Sequence, residues 1–351
     1  MIKQIITAII LISMLFSAKA YALDKNALSA DSAVLMNAQS GEVVFAKNSY
    51  KRCSMASTTK IMTSLLAIES GKLQNEIVVT DEMVRVEGTS MGLMVGDSVS
   101  LDELLHGMLL QSGNDAANAA ALYLTGNLGN FSALMNSRAG EIGMNDTNFV
   151  TPSGLDSENH YSTAYDMALL GIEAVRNPKF LSVCSKQKET LEYGNPPYSR
   201  TLYNHNKLLD RFDYVYGIKT GFTKKSGRCL VSYAVKNGVG LVAVTLNAPD
   251  DWNDHEKLFD FGFDQVKSEE LYPELPNSVS AVGGEASTVS LKSQSYIYSH
   301  AEGEHAISYK VFLPEFVYAP VKKGDVLGKW EVYIDGKKAD TISIIADDNV
   351  N

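Results

Sequence analysis

An α+β fold is predicted for this chain: an antiparallel five-stranded sheet covered by helices, with a helical insertion, followed by a small C-terminal all-β domain. Three observations carry the prediction. Ser32 to Phe45 reads as two strands around Ser40-Gly41, and the long middle, to about Asn195, is mainly helical patterns with loops. From Tyr214 the period switches to that of strands. Beyond about residue 266 short runs alternate apolar and polar residues.

From the amino terminus, Met1-Ile2-Lys3-Gln4 is a short positive start and Ile5 to Phe16 an apolar core. Ala18-Lys19-Ala20 or Ala20-Tyr21-Ala22 supplies small residues for cleavage, so residues 1–22 are expected to be a secretory signal. The competing reading, an uncleaved anchor, needs roughly 20 apolar residues to span a bilayer, and this core is shorter. Ser57-Thr58-Thr59-Lys60 opens an apolar-periodic stretch (Ile61, Met62, Leu65, Leu66, Ile68) that ends at Gly71, a helix with Ser57 in its first turn. Leu101 to Leu110 and Ala116 to Leu124 are two further helical patterns, with Ser112-Gly113-Asn114 between them. Val215 to Phe222, Cys229 to Val235 and Val239 to Leu246 are three strands, the last two joined at the hairpin signal Asn237-Gly238. A helix follows from about Asp254 to Gly262, closing a main domain expected over 23–265. Pro273 and Pro276 mark a linker, and residues 266–351 are expected to form a small β-sandwich-like domain with a turn at Asp335-Gly336.

With 31 basic and 41 acidic residues the net charge is −10, without a basic cluster, so no nucleic-acid partner is expected. Three cysteines, Cys53, Cys184 and Cys229, are too few for a disulfide framework. Cys53 and Cys229 both fall near the expected cleft; small buried thiols are the favoured reading over a disulfide between them. The six histidines show no metal-ligand spacing, and no metal or cofactor is expected.

The chemistry lies in five residues. On a helix, positions three apart share a face, which places the Lys60 amine beside the Ser57 hydroxyl. A serine becomes a nucleophile when an adjacent base takes its proton, and lysine serves only if its pKa falls well below about 10.4. Burial and a second cation both lower it, and Lys219 is the candidate cation. Each motif alone is weak, since Ser is a common N-cap and Ser-Gly-Asn an ordinary turn. Their order and contexts change the odds. Ser-x-x-Lys, Ser-Asp-Asn and Lys-Thr-Gly together are the signature of penicillin-binding proteins and class A β-lactamases, the middle one altered here to Ser112-Gly113-Asn114.

On these motifs and their surroundings the chain resembles the low-molecular-mass penicillin-binding proteins, serine-type D-alanyl-D-alanine carboxypeptidases with a DD-peptidase/β-lactamase-like fold. The likeness includes Ala56 to Thr63, Val95 to Ser100, Gln111 to Ala116, Thr151 to Asp156, His160 to Ala164 and Gly217 to Thr223, and covers most of residues 30 to 265. It implies that Ser57 attacks the penultimate D-alanine carbonyl of peptidoglycan stem peptides and that Lys60 accepts its proton. The backbone N–H groups of Ser57 and Phe222 hold the oxyanion. Ser112 relays a proton to the leaving amine, Asn114 orients Lys60 and the substrate amide, and Lys219 with Thr220 takes the terminal carboxylate beside Gly221. β-Lactams become covalent inhibitors, and the enzyme works outside the cytoplasm.

Two departures stand out. Asp250 to His255 lacks the arginine that relatives often place there for the carboxylate; Arg228 is the nearest candidate and reads equally well as a solvated strand-end residue. Phe222 replaces a polar residue seen in some relatives. A class A β-lactamase needs a Glu-x-x-Leu-Asn pattern that does not occur here. A DD-endopeptidase or transpeptidase would use the same groups, and a non-catalytic peptidoglycan-binding protein is disfavoured because the catalytic positions are intact. The chain stops at Ala346 to Asn351, too short and acidic for the amphipathic helix that often ties the family to the membrane, which leaves membrane attachment in doubt.

Overall fold

The computed structural model describes residues 23–301 and 305–351; the expected signal segment, 1–22, lies outside the described residues. A hairpin of β1 (Ser32–Asn37) and β2 (Val43–Lys47) leads through a 3-10 turn at Ala56–Thr59 into helix α1 (Lys60–Glu69). The helical lobe then follows, with β3 (Glu76–Val78), α2 (Asp81–Val84), β4 (Ser98–Ser100), α3 (Leu101–Leu109), α4 (Asn114–Thr125), α5 (Leu128–Ile142), α6 (Ala164–Val175) and α7 (Pro178–Cys184). A second hairpin, β5 (Lys188–Gly194) and β6 (Pro197–Tyr203), and the short α8 (Leu208–Arg211) bring the chain to β7 (Val215–Thr223), β8 (Gly227–Lys236), β9 (Val239–Leu246) and α9 (Asp251–Gln265).

The five-stranded sheet runs in the order β2-β1-β9-β8-β7, with every pairing antiparallel. Period two decides what each face meets. Val34 and Met36 of β1 join Val242 and Val244 of β9 against α1 and α6, whereas Ala33 and Leu35 join Leu241 and Ala243 against Leu258 and Phe259 of α9. Because helices cover both faces, all six residues of β1 are buried. A second core fills the helical lobe, where the alanines of α4 (Ala116, Ala117, Ala119, Ala120) let Leu101, Leu104 and Met108 of α3 pack closely.

Helix ends follow local chemistry. Ser100 and Glu103 form a capping box at α3, Thr163 caps α6, and Asn177 with Pro178 starts α7. Ser57 lies in the 3-10 turn ahead of α1 rather than in its first α-helical turn. α9 starts at Asp251, earlier than the polar run Asp250 to Asp254 suggested, because Asp254 is buried and satisfied by Ser29 and Ala30. The hairpin β5–β6 stands where helices and loops were expected up to Asn195. Most of its residues are exposed, so its alternation is faint.

The C-terminal all-β domain comprises β10 (Val266–Leu271), β11 (Ser278–Val282), β12 (Thr288–Ser293), β13 (Tyr296–Ala301), β14 (Ile307–Phe312), β15 (Phe316–Tyr318), β16 (Val326–Ile334) and β17 (Lys337–Ala346). Six strands form a sheet in the order β14-β16-β17-β12-β11-β15, and β10 pairs with β13. β10, β11 and β15 had no counterpart among the expected runs; they are short or largely exposed. The domain docks on the β1–β2 turn, where Asn37 Nδ2 donates to the Ser299 carbonyl at 2.8 Å and Ser299 Oγ donates to Asn37 Oδ1 at 3.1 Å.

Candidate active site

Three segments converge on one cleft: the turn before α1, the loop between α3 and α4, and β7, which is an edge strand of the sheet. The cleft encloses about 290 Å³, with Ser57, Thr89, Ser112, His205, Thr220 and Phe222 among its walls. A larger cavity of about 1000 Å³ lies between the catalytic sheet and the C-terminal domain, lined by Gln39, Arg176, Tyr298 and Lys337. Its buried hydroxyl, Ser299 Oγ, bonds Asn37 and Gln39 rather than a base, so the chemistry belongs to the smaller cleft.

Lys60 is fully buried, and its Nζ has three neighbours: Ser57 Oγ at 2.9 Å, Asn114 Oδ1 at 2.7 Å and the Ser153 carbonyl at 2.7 Å. The last two can only accept. Asn114 cannot present its amide nitrogen instead, because that group donates to the Glu87 carbonyl at 2.7 Å. A neutral Lys60 therefore spends both N–H bonds on these acceptors, and its lone pair is left facing the Ser57 hydroxyl. Burial, then the neighbouring Lys219 ammonium, holds the Lys60 amine well below its ordinary range, with Asp115 opposing.

Lys219 is also buried, and its Nζ donates to the Thr220 carbonyl at 3.0 Å. Burial lowers its amine to about 7, so its charge is conditional at neutral pH. Ser112 is 5% exposed and has φ +60°, and Ala56 has φ +49°. Both serine-bearing turns thus hold a non-glycine residue in the left-handed region, strain that a packed surrounding must sustain.

Two glycines allow the segments to meet. At Gly221, which pairs with Cys229, an added Cβ would lie 3.0 Å from Ser57 N and 3.1 Å from Met55 O. Gly154, with φ +86°, is tighter: a Cβ there would overlap the Ala56 carbonyl and come within 2.9 Å of Thr59 Oγ1. The loop around Gly154 is itself anchored. His160 Nδ1 accepts from Val150 N at 2.9 Å, so its Nε2 carries the proton and donates to Thr59 Oγ1 at 2.8 Å. Burial holds this ring down to about 4, and it stays neutral. Asp156 accepts from both Ser54 and Thr223, tying the turn before α1 to β7.

The structure thus brings together Ser57, Lys60, Ser112, Asn114, Lys219, Thr220, Gly221 and Phe222. Arg228 lines the cleft too, but its guanidinium is bound to the buried Asp251 (2.9 and 2.7 Å) and lies over Trp252 at 5.1 Å. Its charge is therefore largely engaged. The sequence reading assigned no role to the Ser153 carbonyl, which accepts from Lys60, to Asp115, whose charge opposes the lowering of the Lys60 amine, to His160, which braces Thr59, or to His205, whose ring burial and Lys219 push toward the neutral form. Asp115, Ser153 and His160 fall inside the runs Gln111 to Ala116, Thr151 to Asp156 and His160 to Ala164 that carry the resemblance, whereas His205 lies outside all of them. Cys53, Cys184 and Cys229 are free thiols; Cys184 and Cys229 are buried, Cys53 half-buried, and burial pushes Cys229 up to about 11.

Comparison with known proteins agrees with this geometry. The family model described as D-alanyl-D-alanine carboxypeptidase matches residues 18–250, and the model for the C-terminal domain of penicillin-binding protein 5 matches 267–351. The D-alanyl-D-alanine carboxypeptidase DacF of Bacillus subtilis is 31% identical over 321 residues, 88% of this chain and 82% of the relative. DacC of Escherichia coli is 32% identical over 372 residues, 96% of this chain and 89% of the relative. Penicillin-binding protein 5 from Haemophilus influenzae is similar in structure, with a TM-score of 0.68 at 29% identity, over 94% of this chain and 100% of that one. A mutant of the Streptomyces K15 DD-transpeptidase gives 0.65 at 26% identity, over 68% of this chain and 98% of that one.

Gly154→Ala tests the close approach. It is expected to destabilise the fold by about 2 kcal/mol or more, because the obstruction is backbone that cannot swing away. Urea denaturation reads this directly, and a midpoint equal to wild type would show that the loop yields.

Proposed function

The chain belongs to the D-alanyl-D-alanine carboxypeptidase family, and from that premise we propose how its residues carry out the reaction. It is a serine-type carboxypeptidase that removes the terminal D-alanine from peptidoglycan stem peptides. The observation that carries the residue assignment is the buried Lys60 amine, held by Asn114 and Ser153 with its lone pair toward Ser57.

Ser57 Oγ attacks the carbonyl carbon of the penultimate D-alanine while its proton passes to Lys60 Nζ. The carbonyl oxygen takes up the electron pair and is stabilised by the backbone N–H groups of Ser57 and Phe222. As the C–N bond breaks, Ser112 gives its hydroxyl proton to the departing D-alanine amine and takes up the proton that Lys60 gained, which leaves Lys60 neutral again. Water then attacks the acyl ester and gives a proton to Lys60, which returns it to Ser57 Oγ as the ester C–O bond breaks. Lys219 and Thr220 hold the substrate carboxylate beside Gly221, where the exposed edge of β7 can bind an extended peptide. Arg228 supports that wall through Asp251 and Trp252 and adds a weaker, longer-range attraction.

A strained cyclic amide with an adjacent carboxylate fits the same groups, so β-lactams acylate Ser57. Such substrates lie outside the cytoplasm, and we place the mature enzyme there. Among the described residues no helix is long and apolar enough to cross a membrane. The likeness to a DD-transpeptidase keeps a second reading in view, in which an amine rather than water accepts the acyl group.

Intact mass after incubation with benzylpenicillin, followed by peptide mapping, is expected to show one adduct, on Ser57, that disappears in Ser57→Ala. Label on another residue would overturn the assignment. Release of D-alanine from an acyl-D-Ala-D-Ala peptide without a peptide–amine product separates hydrolysis from transfer.

A bell-shaped pH dependence of kcat/KM is also expected. Lys60 must be neutral, so activity falls on the acid side as it gains a proton. Lys219 must be charged to hold the carboxylate, so in the free enzyme KM rises as pH increases through about 7. A KM that stays flat across that range would remove Lys219 from carboxylate binding.

A further inference from the structure

Asp115 follows Asn114 in α4 and is 2% exposed. Its carboxylate accepts from Ser90 Oγ at 2.5 Å, Met91 N at 2.9 Å, Gly92 N at 3.1 Å and Leu93 N at 3.0 Å, and from Ala116 N at 2.9 Å. Four of these donors come from one stretch, 90–93. The residues just before it hold Asn114: the Thr89 carbonyl accepts from Asn114 N at 2.7 Å and the Glu87 carbonyl from Asn114 Nδ2 at 2.7 Å. Asp115 therefore folds the loop onto the start of α4, and the loop aims Asn114 Oδ1 at Lys60.

The carboxylate is solvated by neutral donors and, among the described residues, is paired with no cation. Its charge therefore stays available to its surroundings. Among the described residues the charged groups that act on Lys60 are Lys219 from β7 and Asp115 from α4; its hydrogen-bond partners, Ser57, Asn114 and the Ser153 carbonyl, are neutral. When Lys60 takes the proton of Ser57 it becomes an ammonium in a dry site, beside a second ammonium. An anion nearby lowers the cost of that step.

We propose that Asp115 is a positioning residue for acylation: it fixes Asn114 against Lys60 through the 87–93 loop and supplies the counter-charge that the Lys60 ammonium needs as the acyl-serine forms. The proposal rests on Lys60 being the base. Asp115 touches neither substrate nor the reacting atoms, and its effect is carried by Asn114 and by its field.

The test is the second-order rate of acylation by benzylpenicillin as a function of pH, in wild type, Asp115→Asn and Asp115→Glu, with thermal unfolding measured alongside. Removing the negative charge makes Lys60 harder to protonate, so the acid limb of Asp115→Asn is expected to move to lower pH while the plateau falls about tenfold or more. A limb that stays where wild type has it, whatever happens to the unfolding temperature, would reduce Asp115 to a structural clamp and overturn the proposal. If Asp115→Asn does not fold, Asp115→Glu decides: shifting the carboxylate by one methylene predicts a lowered plateau with the limb moved in the same direction by less. An unchanged plateau and limb in that variant would also overturn the proposal. Wild type that takes no label would instead sink the acyl-serine reading itself, so the two failures are distinguishable.

Discussion

The structure depends on keeping a lysine amine uncharged in a place where its two N–H bonds have nowhere else to go. Burial alone would leave Lys60 neutral but idle, free to turn its lone pair in any direction. The Ser153 carbonyl and Asn114 Oδ1 remove that freedom, because each accepts and neither can donate to the amine. What remains is a lone pair with one partner, the Ser57 hydroxyl. In the proposed mechanism proton transfer begins from a geometry already made, an advantage over a lysine and a serine that merely meet.

Each acceptor needs its own support, and the fold supplies it from parts distant in sequence. Ser153 is placed by a loop tied through His160 to Thr59, on the turn that carries Ser57. Asn114 is placed by the carbonyls of Glu87 and Thr89. β7 then closes the third side, as near as Gly221 permits. The site is thus a junction of loops braced by helices and a sheet rather than a feature of any single element, so strain at Ala56 and Ser112 can be sustained.

The local half of this was legible in the chain. Ser57 and Lys60 announce themselves by a spacing that any helical start would present on one face, and Asn237-Gly238 fixes the β8–β9 hairpin, with φ +51° and +79° as that turn requires. The capping box at Ser100 and Glu103 marks α3 as clearly. What the chain could not show is contact between segments that no local period relates. Asp115 looks like an ordinary acidic residue in a first helical turn, and only the folded loop reveals that it gathers four donors from 90–93. Asp254 reads as an ordinary polar residue at a helix start because its partners, Ser29 and Ala30, are more than two hundred positions away. The β5–β6 hairpin is faint for another reason: one face is open to solvent, so few of its residues needed to be apolar. The sequence offers Lys219 only as a candidate cation; the fold adds that burial lowers its amine to about 7 and makes that charge conditional.

The same sheet decides what the C-terminal domain can contribute. The cleft sits where Gly221 pairs with Cys229, and the domain docks at the opposite end of these strands. There Ser268 Oγ donates to the Asn237 carbonyl and Ile297 packs against Gly238. From Cys229 to Lys236 the strand advances seven residues, roughly 24 Å at about 3.4 Å each. No side chain of the domain spans that distance to Ser57. The bonds between Asn37, Gln39 and Ser299 nevertheless hold the domain to the β1–β2 turn by directed contacts rather than by a loose linker alone. The domain is thus fixed firmly and kept far from the cleft, and none of its described residues lines the cleft.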